Sequence, residues 1–314
     1  MQKHLIFSRN VNNTALTNER IQQLAPAVFS DTKAHGLSDR YASLNTAQLL
    51  PVLADFGYFP MQAAQKKSRK GEAQHSSHML SFAKTYHTQD IIGDVRPEII
   101  LYNSHDGSSS VRLFAGCFRF ICSNGIVAGD GFQSRMYHNA RAINGFEDML
   151  ASTINSLPVL MERIEKLRST KLMYRDAVEM ARKGVQTRWK MFDDVITDMP
   201  YSTDGVPFGS YATEKTVRDA LVVQRNEDDY MDAFTVFNRI QEAVVRGNAF
   251  VRSLSKANTK HGDTGVMRKA RPISSVSEGI RVNSELWTMA EDYCGAWVEE
   301  TIPYGWAVAE TAIA

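Results

Sequence analysis

An alternation of apolar and polar residues near the middle of the chain predicts a β-hairpin. Side chains alternate in character over residues 99–103 and again over residues 111–116, and a two-residue period is typical of a strand. The segment between them, SHDGSSS, contains Asp106 and Gly107. An Asp-Gly pair suits a tight turn because glycine accepts a positive φ. We therefore predict two antiparallel strands joined at this segment.

Extended patterns before the hairpin predict that it belongs to an antiparallel meander. They read YFPMQAAQ from Tyr58 and HMLSFAKTY from His78. Two short helices are predicted earlier in the chain, one that opens at a Thr17–Asn18 cap and one that ends at Gly57. The segment SNGIVAGDGF, residues 123–132, is rich in glycine and predicts a loop after the hairpin.

From Phe146 the apolar positions change to a helical spacing. The pattern predicts a helix over residues 146 to about 189, kinked or restarted at Pro158 because proline lacks the backbone donor and crowds the preceding turn. The apolar positions of its second half lie three, four or seven residues apart and form one seam: Leu160, Ile164, Leu167, Tyr174, Val178, Ala181 and Val185.

Three arginines follow this seam at a seven-residue spacing. Arg168, Arg175 and Arg182 each come one residue after a seam position, which would stack their guanidinium groups as a stripe beside the buried face. One interpretation is a solvated flank that pairs with Asp176 and Glu179, as charged runs commonly do. The other is a stripe that follows the phosphates of a nucleic acid.

The patterns together divide the chain into three parts. Residues 1–190 are predicted to form an α+β core that contains the hairpin and the long helix. Residues 191–213, rich in Asp, Gly and Pro, are predicted to be a loop or a small insertion. Residues 214–314 are predicted to be helical and to pack on the core. The expected fold class is α+β, with an antiparallel meander packed against a long basic helix and C-terminal helices.

The composition is that of an ordinary globular protein. Of 314 residues, 43% are hydrophobic and 23% are charged, which allows a large core. The cysteines Cys117, Cys122 and Cys294 have neither zinc-site spacing nor the even number of a disulfide framework, so a reducing cytoplasm is expected. No apolar run resembles a secretion signal or a membrane span, so neither secretion nor a membrane anchor is expected.

Few residue patterns indicate catalysis or a bound cofactor. His75 and His78 are three residues apart, but no carboxylate or cysteine completes a metal-ligand set nearby, and no segment has the spacing of a phosphate-binding loop. His105 could act with a serine of SHDGSSS in a hydrolase, but adjacent side chains of a strand point to opposite faces, which favours a turn. We expect no enzyme activity, no metal and no cofactor, with the hydrolase as an alternative.

The distribution of charge is more informative than its sum. The net charge is only +1, but basic residues cluster in residues 66–71, 163–190 and 267–272. Acidic residues dominate elsewhere, for example in residues 226–232. Basic clusters of this kind can follow a phosphate backbone.

The second strand of the hairpin mixes arginine with phenylalanine. Arg112, Phe118 and Phe120 share one face of an ideal strand, and Arg119 lies on the other unless a bulge shifts the register. Phenylalanine can stack on unpaired bases while arginine binds backbone phosphates, as in single-strand binding proteins. The alternative is a core strand with buried phenylalanines and arginines at the sheet edge.

Several segments together resemble a known family. They are SHDGSSSVRLFAGCFRFICSNGIV, FTVFNRIQEAVVRG and RPISSVSEGIRVNSELWTMAE, with LAPAVFS, SDRYASLNTAQLLPVLADFGYFP and HMLSFAK earlier in the chain. These segments resemble the phage and plasmid proteins of the family called domain of unknown function nine-three-two, over nearly the whole chain. The resemblance implies a mobile-element protein and supplies no catalytic residues.

The predicted organisation is similar to that of a second group of proteins. A meander followed by a long basic helix is similar to the core of the single-strand annealing proteins of phages and eukaryotes. This similarity implies a ring or filament of identical subunits. Such an assembly holds single-stranded DNA by its backbone and offers the bases to a complementary strand, without metal or nucleotide.

The leading hypothesis is therefore a cytoplasmic, oligomeric protein of a phage, prophage or plasmid that binds and anneals single-stranded DNA in recombination or replication. The alternative is a non-enzymatic host-interaction or anti-defence protein that occupies a host protein. The candidate DNA contacts are Lys66, Lys67, Arg69, Lys70, Arg112, Phe118, Arg119, Phe120, Arg168, Arg175 and Arg182. Replacing the three helix arginines with alanine is expected to flatten the salt dependence of DNA binding without unfolding the protein.

Overall fold

The structure, a computed structural model, has an α+β fold with two antiparallel sheets, which confirms the expected fold class. It describes residues 14–38, 41–42, 44–66, 73–84, 94–119, 124–127, 133–138, 145–197, 209–254 and 265–293. No helix within these stretches is both long enough and apolar enough to cross a membrane.

A six-stranded antiparallel sheet contains the predicted meander. Its strands are β1 (Phe59–Gln65), β2 (His78–Ala83), β3 (Val95–Asn103), β4 (Val111–Arg119), β5 (Asn124–Val127) and β6 (Gln133–Met136). The order is β1-β2-β3-β4-β5, and β6 also pairs with β4. The strand β5 lies in a segment for which a loop was expected, because pairing with residues 116–119 of β4 extends its backbone.

The turn between β3 and β4 is the predicted hairpin turn. Tyr102 lies opposite Arg112 in the strand register, and the chain reverses between them. Gly107 has a φ of 75°, and the Asp106 carboxylate accepts a hydrogen bond of 2.9 Å from the Ser108 N–H. The Asp-Gly pair thus supplies both the side-chain acceptor and the positive φ that the turn requires.

Two α-helices, α1 (Asn18–Leu24) and α2 (Leu49–Asp55), precede the sheet. The Thr17 hydroxyl caps α1 by accepting a hydrogen bond of 3.3 Å from the Arg20 N–H. Gly57, with a φ of 82°, follows the end of α2. The predicted start of the first helix and the predicted end of the second are both confirmed.

The predicted long helix consists of two helices, α3 (Phe146–Ser169) and α4 (Tyr174–Gln186). The expected restart at Pro158 is wrong, because α3 continues through that proline, and the expected kink there remains a prediction. The leucines on either side, Leu157 and Leu160, are buried against the rest of the protein. This packing holds the helix together where one backbone hydrogen bond is missing.

The helical break lies instead at Thr170, where the chain turns to an extended conformation. The Thr170 carbonyl accepts a hydrogen bond of 2.9 Å from the Ala233 N–H, and the Leu172 N–H donates to the Met231 carbonyl at 2.8 Å. The chain between α3 and α4 is therefore paired with the segment before the next long helix. Tertiary pairing, rather than proline, ends α3.

Beyond residue 190 the chain forms helices and a second sheet. The elements are α5 (Phe192–Thr197), β7 (Gly209–Tyr211), α6 (Glu214–Asp219), α7 (Ala233–Arg246), β8 (Phe250–Leu254), β9 (Val266–Lys269) and α8 (Val276–Asp292). The strands form an antiparallel sheet in the order β7-β8-β9. The sequence predicted only a loop and helices here, and the three strands were not predicted. Strands of three to five residues leave little alternation to detect.

One continuous apolar core joins the two halves of the chain. Helix α3 packs on the six-stranded sheet, and α7 packs on α3, α4 and α8. Every residue of α7 from Ala233 to Val244 is buried. The core includes Leu80 of β2, Phe237 of α7 and Trp287 of α8, so it contains elements from both sides of residues 191–213.

Candidate nucleic-acid interface

A cleft of about 710 Å³ lies between α8 and the six-stranded sheet, and we call it the α8 cleft. The lining side chains recur every three or four residues along α8, so one helix face forms a wall. That wall carries three hydroxyl groups and three charged groups, namely Ser277, Ser284, Thr288, Arg281, Glu285 and Asp292. The same wall also carries the apolar side chains of Ile280 and Met289, so it presents both polar and apolar groups to a ligand.

The opposite wall comes from the sheet and the hairpin turn. Tyr102 and its register partner Arg112 line the cleft. Phe114 and its register partner Gln133 also line it, and Ser109 of the hairpin turn adds a hydroxyl group. Strands β3, β4 and β6 therefore place two aromatic rings and a guanidinium group opposite the hydroxyl groups of α8.

Two arginines lie directly opposite each other on this face of the sheet. Arg112 of β4 pairs with Arg135 of β6, and directly opposed residues of antiparallel strands share a face. Like charges in this position destabilise a sheet. Neither guanidinium has a carboxylate partner among the described residues, and the Nε of Arg112 is buried without an acceptor. The Arg112–Arg135 pair is therefore a candidate anion-binding site.

Most other charges of the α8 cleft are already paired. Arg281 bonds Glu285 at 2.7 Å, and Lys183 bonds Glu179 at 2.9 Å. Asp292 is an exposed carboxylate at the end of α8. Among the described residues, the positive charges at the cleft without an ion pair are therefore those of Arg112 and its neighbour Arg135, and Asp292 adds a negative charge to the same cleft.

An exposed aromatic ring lies beside this pair. Tyr137 is 63% exposed, and the Arg135 guanidinium lies 5.5 Å from its ring centre. An unpaired base could stack on such an exposed ring. Sequence reasoning missed Arg135 and Tyr137. Their two-residue spacing is a strand signal, but β6 is only four residues long and follows a glycine-rich segment.

Phe118, predicted as a stacking platform, is buried. Its side chain is 1% exposed, and the Arg96 guanidinium lies 5.5 Å from the ring centre. It shares a strand face with Arg112, as expected, but packing covers its end of that face. The prediction of a base-stacking role for Phe118 is therefore wrong, and the core interpretation holds for this residue.

Arg119 and Arg168 are held in ion pairs rather than presented to a ligand. Arg119 is buried and bonds Asp94 at 2.5 Å and Asp228 at 2.6 Å. Arg168 also bonds Asp94, and its guanidinium lies 4.5 Å from the ring centre of Phe234. Arg119 needs such partners because water no longer solvates its buried charge. The prediction that Arg119 contacts DNA is wrong for this reason, whereas for Arg168, which is 33% exposed, DNA contact remains a prediction that its ion pair with Asp94 disfavours.

The three helix arginines do not form one stripe. The break after α3 separates Arg168 from Arg175 and Arg182, which lie on α4. Arg175 is 83% exposed and bonds Asp176 at 3.1 Å, whereas Arg182 bonds Glu214 at 2.6 Å. The solvated-flank interpretation therefore fits Arg175. The expectation that the variant without all three arginines stays folded remains a prediction, and Arg168, which bonds Asp94, is the one whose loss is expected to destabilise the protein.

The predicted basic loop is described only at its first residue. Lys66 follows β1, is exposed, and its N–H donates to the Ser77 carbonyl at 2.8 Å. The remaining predicted contacts of this loop and the second stacking residue lie outside the described residues: Lys67, Arg69, Lys70 and Phe120.

His105 anchors the hairpin turn to the N-terminal segment. It is buried, and its Nε2 donates a hydrogen bond of 3.0 Å to the Ala27 carbonyl. Burial lowers the pKa of His105 to about 4. This geometry gives no support to a hydrolase that uses His105. Within the part of the chain that the structure describes, no group of three or more His, Cys, Asp or Glu side chains could hold a metal ion.

Comparison with known proteins places the chain in a family. The model of the family described as "Domain of unknown function (DUF932)" matches residues 34–287. "UPF0380 protein YafZ" of Escherichia coli K12 is 30% identical over 282 residues, which cover 88% of this chain and 90% of that protein. "UPF0380 protein YfjQ" of the same organism is 30% identical over 284 residues, with the same shares. No solved structure gives a significant match. The chain belongs to the DUF932 family.

Proposed function

We propose that this protein binds single-stranded DNA and promotes the annealing of complementary strands, without catalysis and without a cofactor. It acts in the cytoplasm as a homo-oligomer, in the recombination or replication of a phage, prophage or plasmid. The observation that carries the proposal is the Arg112–Arg135 pair, two directly opposed cations of which Arg112 lines the α8 cleft.

A DNA phosphate supplies the acceptors that these arginines need. A guanidinium group binds phosphate through parallel N–H···O bonds, and a phosphate between two opposed arginines removes their repulsion. The hydroxyl groups of Ser284 and Thr288 on the facing wall suit further phosphate or sugar oxygens. The α8 cleft therefore fits a phosphodiester backbone.

The exposed ring of Tyr137 supports a single strand rather than a duplex. Stacking on an aromatic side chain requires an unpaired base and tolerates any base type. The Arg135 guanidinium lies 5.5 Å from the centre of this ring. A DNA backbone bound by Arg135 therefore brings a base within reach of the ring. The remaining bases of the strand stay available to a complementary strand.

Fluorescence anisotropy with single-stranded and duplex oligonucleotides at low and moderate salt tests the proposal. Wild-type protein is expected to prefer the single strand and to lose affinity as salt rises. For Arg112→Ala/Arg135→Ala, the slope of log affinity against log salt is expected to fall by roughly 0.7, since the two arginines hold one phosphate and each phosphate of a single strand that is neutralised contributes about that much. Tyr137→Ala is expected to weaken single-strand binding alone.

The matched control is Arg20→Ala/Lys171→Ala. It also removes two exposed positive charges, one from α1 and one from the segment between α3 and α4, and is expected to keep the wild-type slope. If the Arg112→Ala/Arg135→Ala variant is folded and has the slope of this control, the site is wrongly assigned. If wild-type protein binds neither oligonucleotide, the function is wrong, and capture of a host protein becomes the test of the alternative.

A further inference from the structure

A second basic surface lies on the three-stranded sheet. We call it the ribbon surface and define it by Lys269 of β9, Arg271 just after β9, and Phe250 of β8, all exposed. Arg268 lies opposite Val251, on the other face of the sheet. We propose that the ribbon surface binds the backbone of a second DNA strand. This inference rests on the proposed function, because annealing requires two strands on one assembly.

The two cations of the ribbon surface are not neutralised by acids among the described residues. Neither Lys269 nor Arg271 forms an ion pair with any of them. The acid beside them, Asp219, bonds Lys215 at 2.8 Å and accepts a hydrogen bond of 2.9 Å from the Phe250 N–H. Two neighbouring positive charges without an ion-pair partner in the described part of the chain create a local potential that attracts a polyanion.

An aromatic ring lies among these cations. Phe250 is 39% exposed and lies directly opposite Lys269 in the strand register. The Nζ of Lys215 lies 4.9 Å from the centre of its ring. A ring between cations can stack on a base while the cations bind the flanking phosphates. Lysine alone on an edge strand serves to prevent sheet-to-sheet association, and that role does not require an exposed ring beside it.

The backbone under the ribbon surface is held in place by long-range hydrogen bonds. The Ala270 N–H donates to the Ala249 carbonyl at 2.8 Å, and the Arg188 guanidinium donates to the Arg271 carbonyl at 2.6 Å. Gly247 has a φ of 75°, and a Cβ there would overlap the Ala270 carbonyl. The close approach of these segments therefore depends on glycine. Positions fixed in advance lose less entropy when a ligand binds.

The ribbon surface and the α8 cleft are formed by different strands. The Arg112–Arg135 pair belongs to β4 and β6, whereas the ribbon surface belongs to β8 and β9. Each surface can therefore be altered without changing residues of the other. One subunit can hold one strand at the α8 cleft and a second at the ribbon surface.

Stoichiometric titration with an oligo(dT) too short to reach both surfaces tests the inference. Wild-type protein is expected to bind two oligonucleotides per subunit, measured by native mass spectrometry and by anisotropy. Lys269→Ala/Arg271→Ala and Arg112→Ala/Arg135→Ala are each expected to lose one of the two, and the variant with all four substitutions is expected to bind none. The control Arg20→Ala/Lys171→Ala is expected to bind two.

The possible outcomes distinguish this inference from the proposed function. If Lys269→Ala/Arg271→Ala is folded and still binds two oligonucleotides, the inference alone is overturned. If each wild-type subunit binds one oligonucleotide, and either double substitution weakens that binding, a single strand crosses both surfaces. That result would also overturn the inference. A wild-type protein that binds no oligonucleotide would overturn both.

Discussion

At the residue scale, Arg119 and Arg175 differ in their surroundings rather than in their chemistry. Arg119 is buried between Asp94 and Asp228, whereas Arg175 is exposed and bonds only a neighbour in sequence. Removing one partner of a buried ion pair leaves a charge without solvent or counter-charge, which destabilises a fold. The charge of Arg119 therefore serves the fold, and Arg112 is the hairpin arginine that can serve a ligand.

Two buried histidines give the hairpin end a dependence on pH. Burial lowers the pKa of His78 to about 3 and that of His105 to about 4. His78 accepts a hydrogen bond of 2.7 Å from the Thr46 hydroxyl and donates one of 3.0 Å to the Ser76 carbonyl. Both imidazoles are therefore neutral in the folded protein over the physiological range of pH.

The free energy of unfolding is expected to decrease as the pH falls from about 6.5 toward 4. Unfolded histidines take up protons below pH 6.5, whereas folded His78 and His105 stay neutral until much lower pH. The stabilisation present above pH 6.5 is thus lost progressively on acidification. Urea unfolding at several pH values measures this loss. The His78→Gln variant is expected to lose less of its free energy of unfolding over this pH range. A pH dependence equal to that of the wild type would contradict the assignment of this loss to His78.

At the element scale, α4 and α7 approach closely because Gly184 faces Ile240. A Cβ built on Gly184 would overlap the Cγ2 of Ile240 and would lie 3.4 Å from the Cδ2 of Leu286. Helix propensity alone favours alanine over glycine in a helix by about 1 kcal/mol. Packing against α7 favours the opposite choice, since an added methyl group must displace a core side chain.

Gly184→Ala is therefore expected to destabilise the protein by about 1–3 kcal/mol in urea unfolding. Gly184→Ala/Ile240→Ala is expected to be less destabilised than the sum of the two single variants, because the overlapping methyl group is absent. An increase in stability on Gly184→Ala alone would show that propensity outweighs packing and that the two helices can move apart.

At the scale of the whole molecule, the continuous core makes the two halves of the chain interdependent. The buried side chains of Met180 and Ala181 on α4 belong to the same core as Phe237 on α7 and Leu286 on α8. A chain without α7 and α8 would expose this apolar surface to water, at a cost of about 25 cal/mol for each Å².

The full chain is accordingly expected to unfold in one transition, with tryptophan fluorescence and far-UV circular dichroism giving the same midpoint. A fragment of residues 1–190 is expected to lack cooperative unfolding, although it contains the whole meander and both helices α3 and α4. Separate transitions in the full chain, or a cooperatively folded fragment, would show that the halves are independent domains.

Sequence by itself determined the local elements and the family. Alternation and the Asp106–Gly107 pair predicted the hairpin, and the seam from Leu160 to Val185 predicted helical structure, because both signals involve residues only a few positions apart. Of the candidate interface, this reasoning supplied Arg112 alone. Its partners Arg135 and Tyr137 remained hidden, because strand pairing is not encoded by local periodicity.

Only the tertiary structure decided where α3 ends, which side chains are buried and which charges are paired. Thr170 leaves the helix because its carbonyl pairs with the Ala233 N–H, 63 positions further along the chain by residue number. Arg119 pairs with Asp228, 109 positions away, and Phe118 packs against Arg96, 22 positions away. Arg112 meets Arg135 only through the strand register. Burial and charge pairing depend on such long-range contacts, and they separate the structural arginines of this protein from those that can bind a ligand.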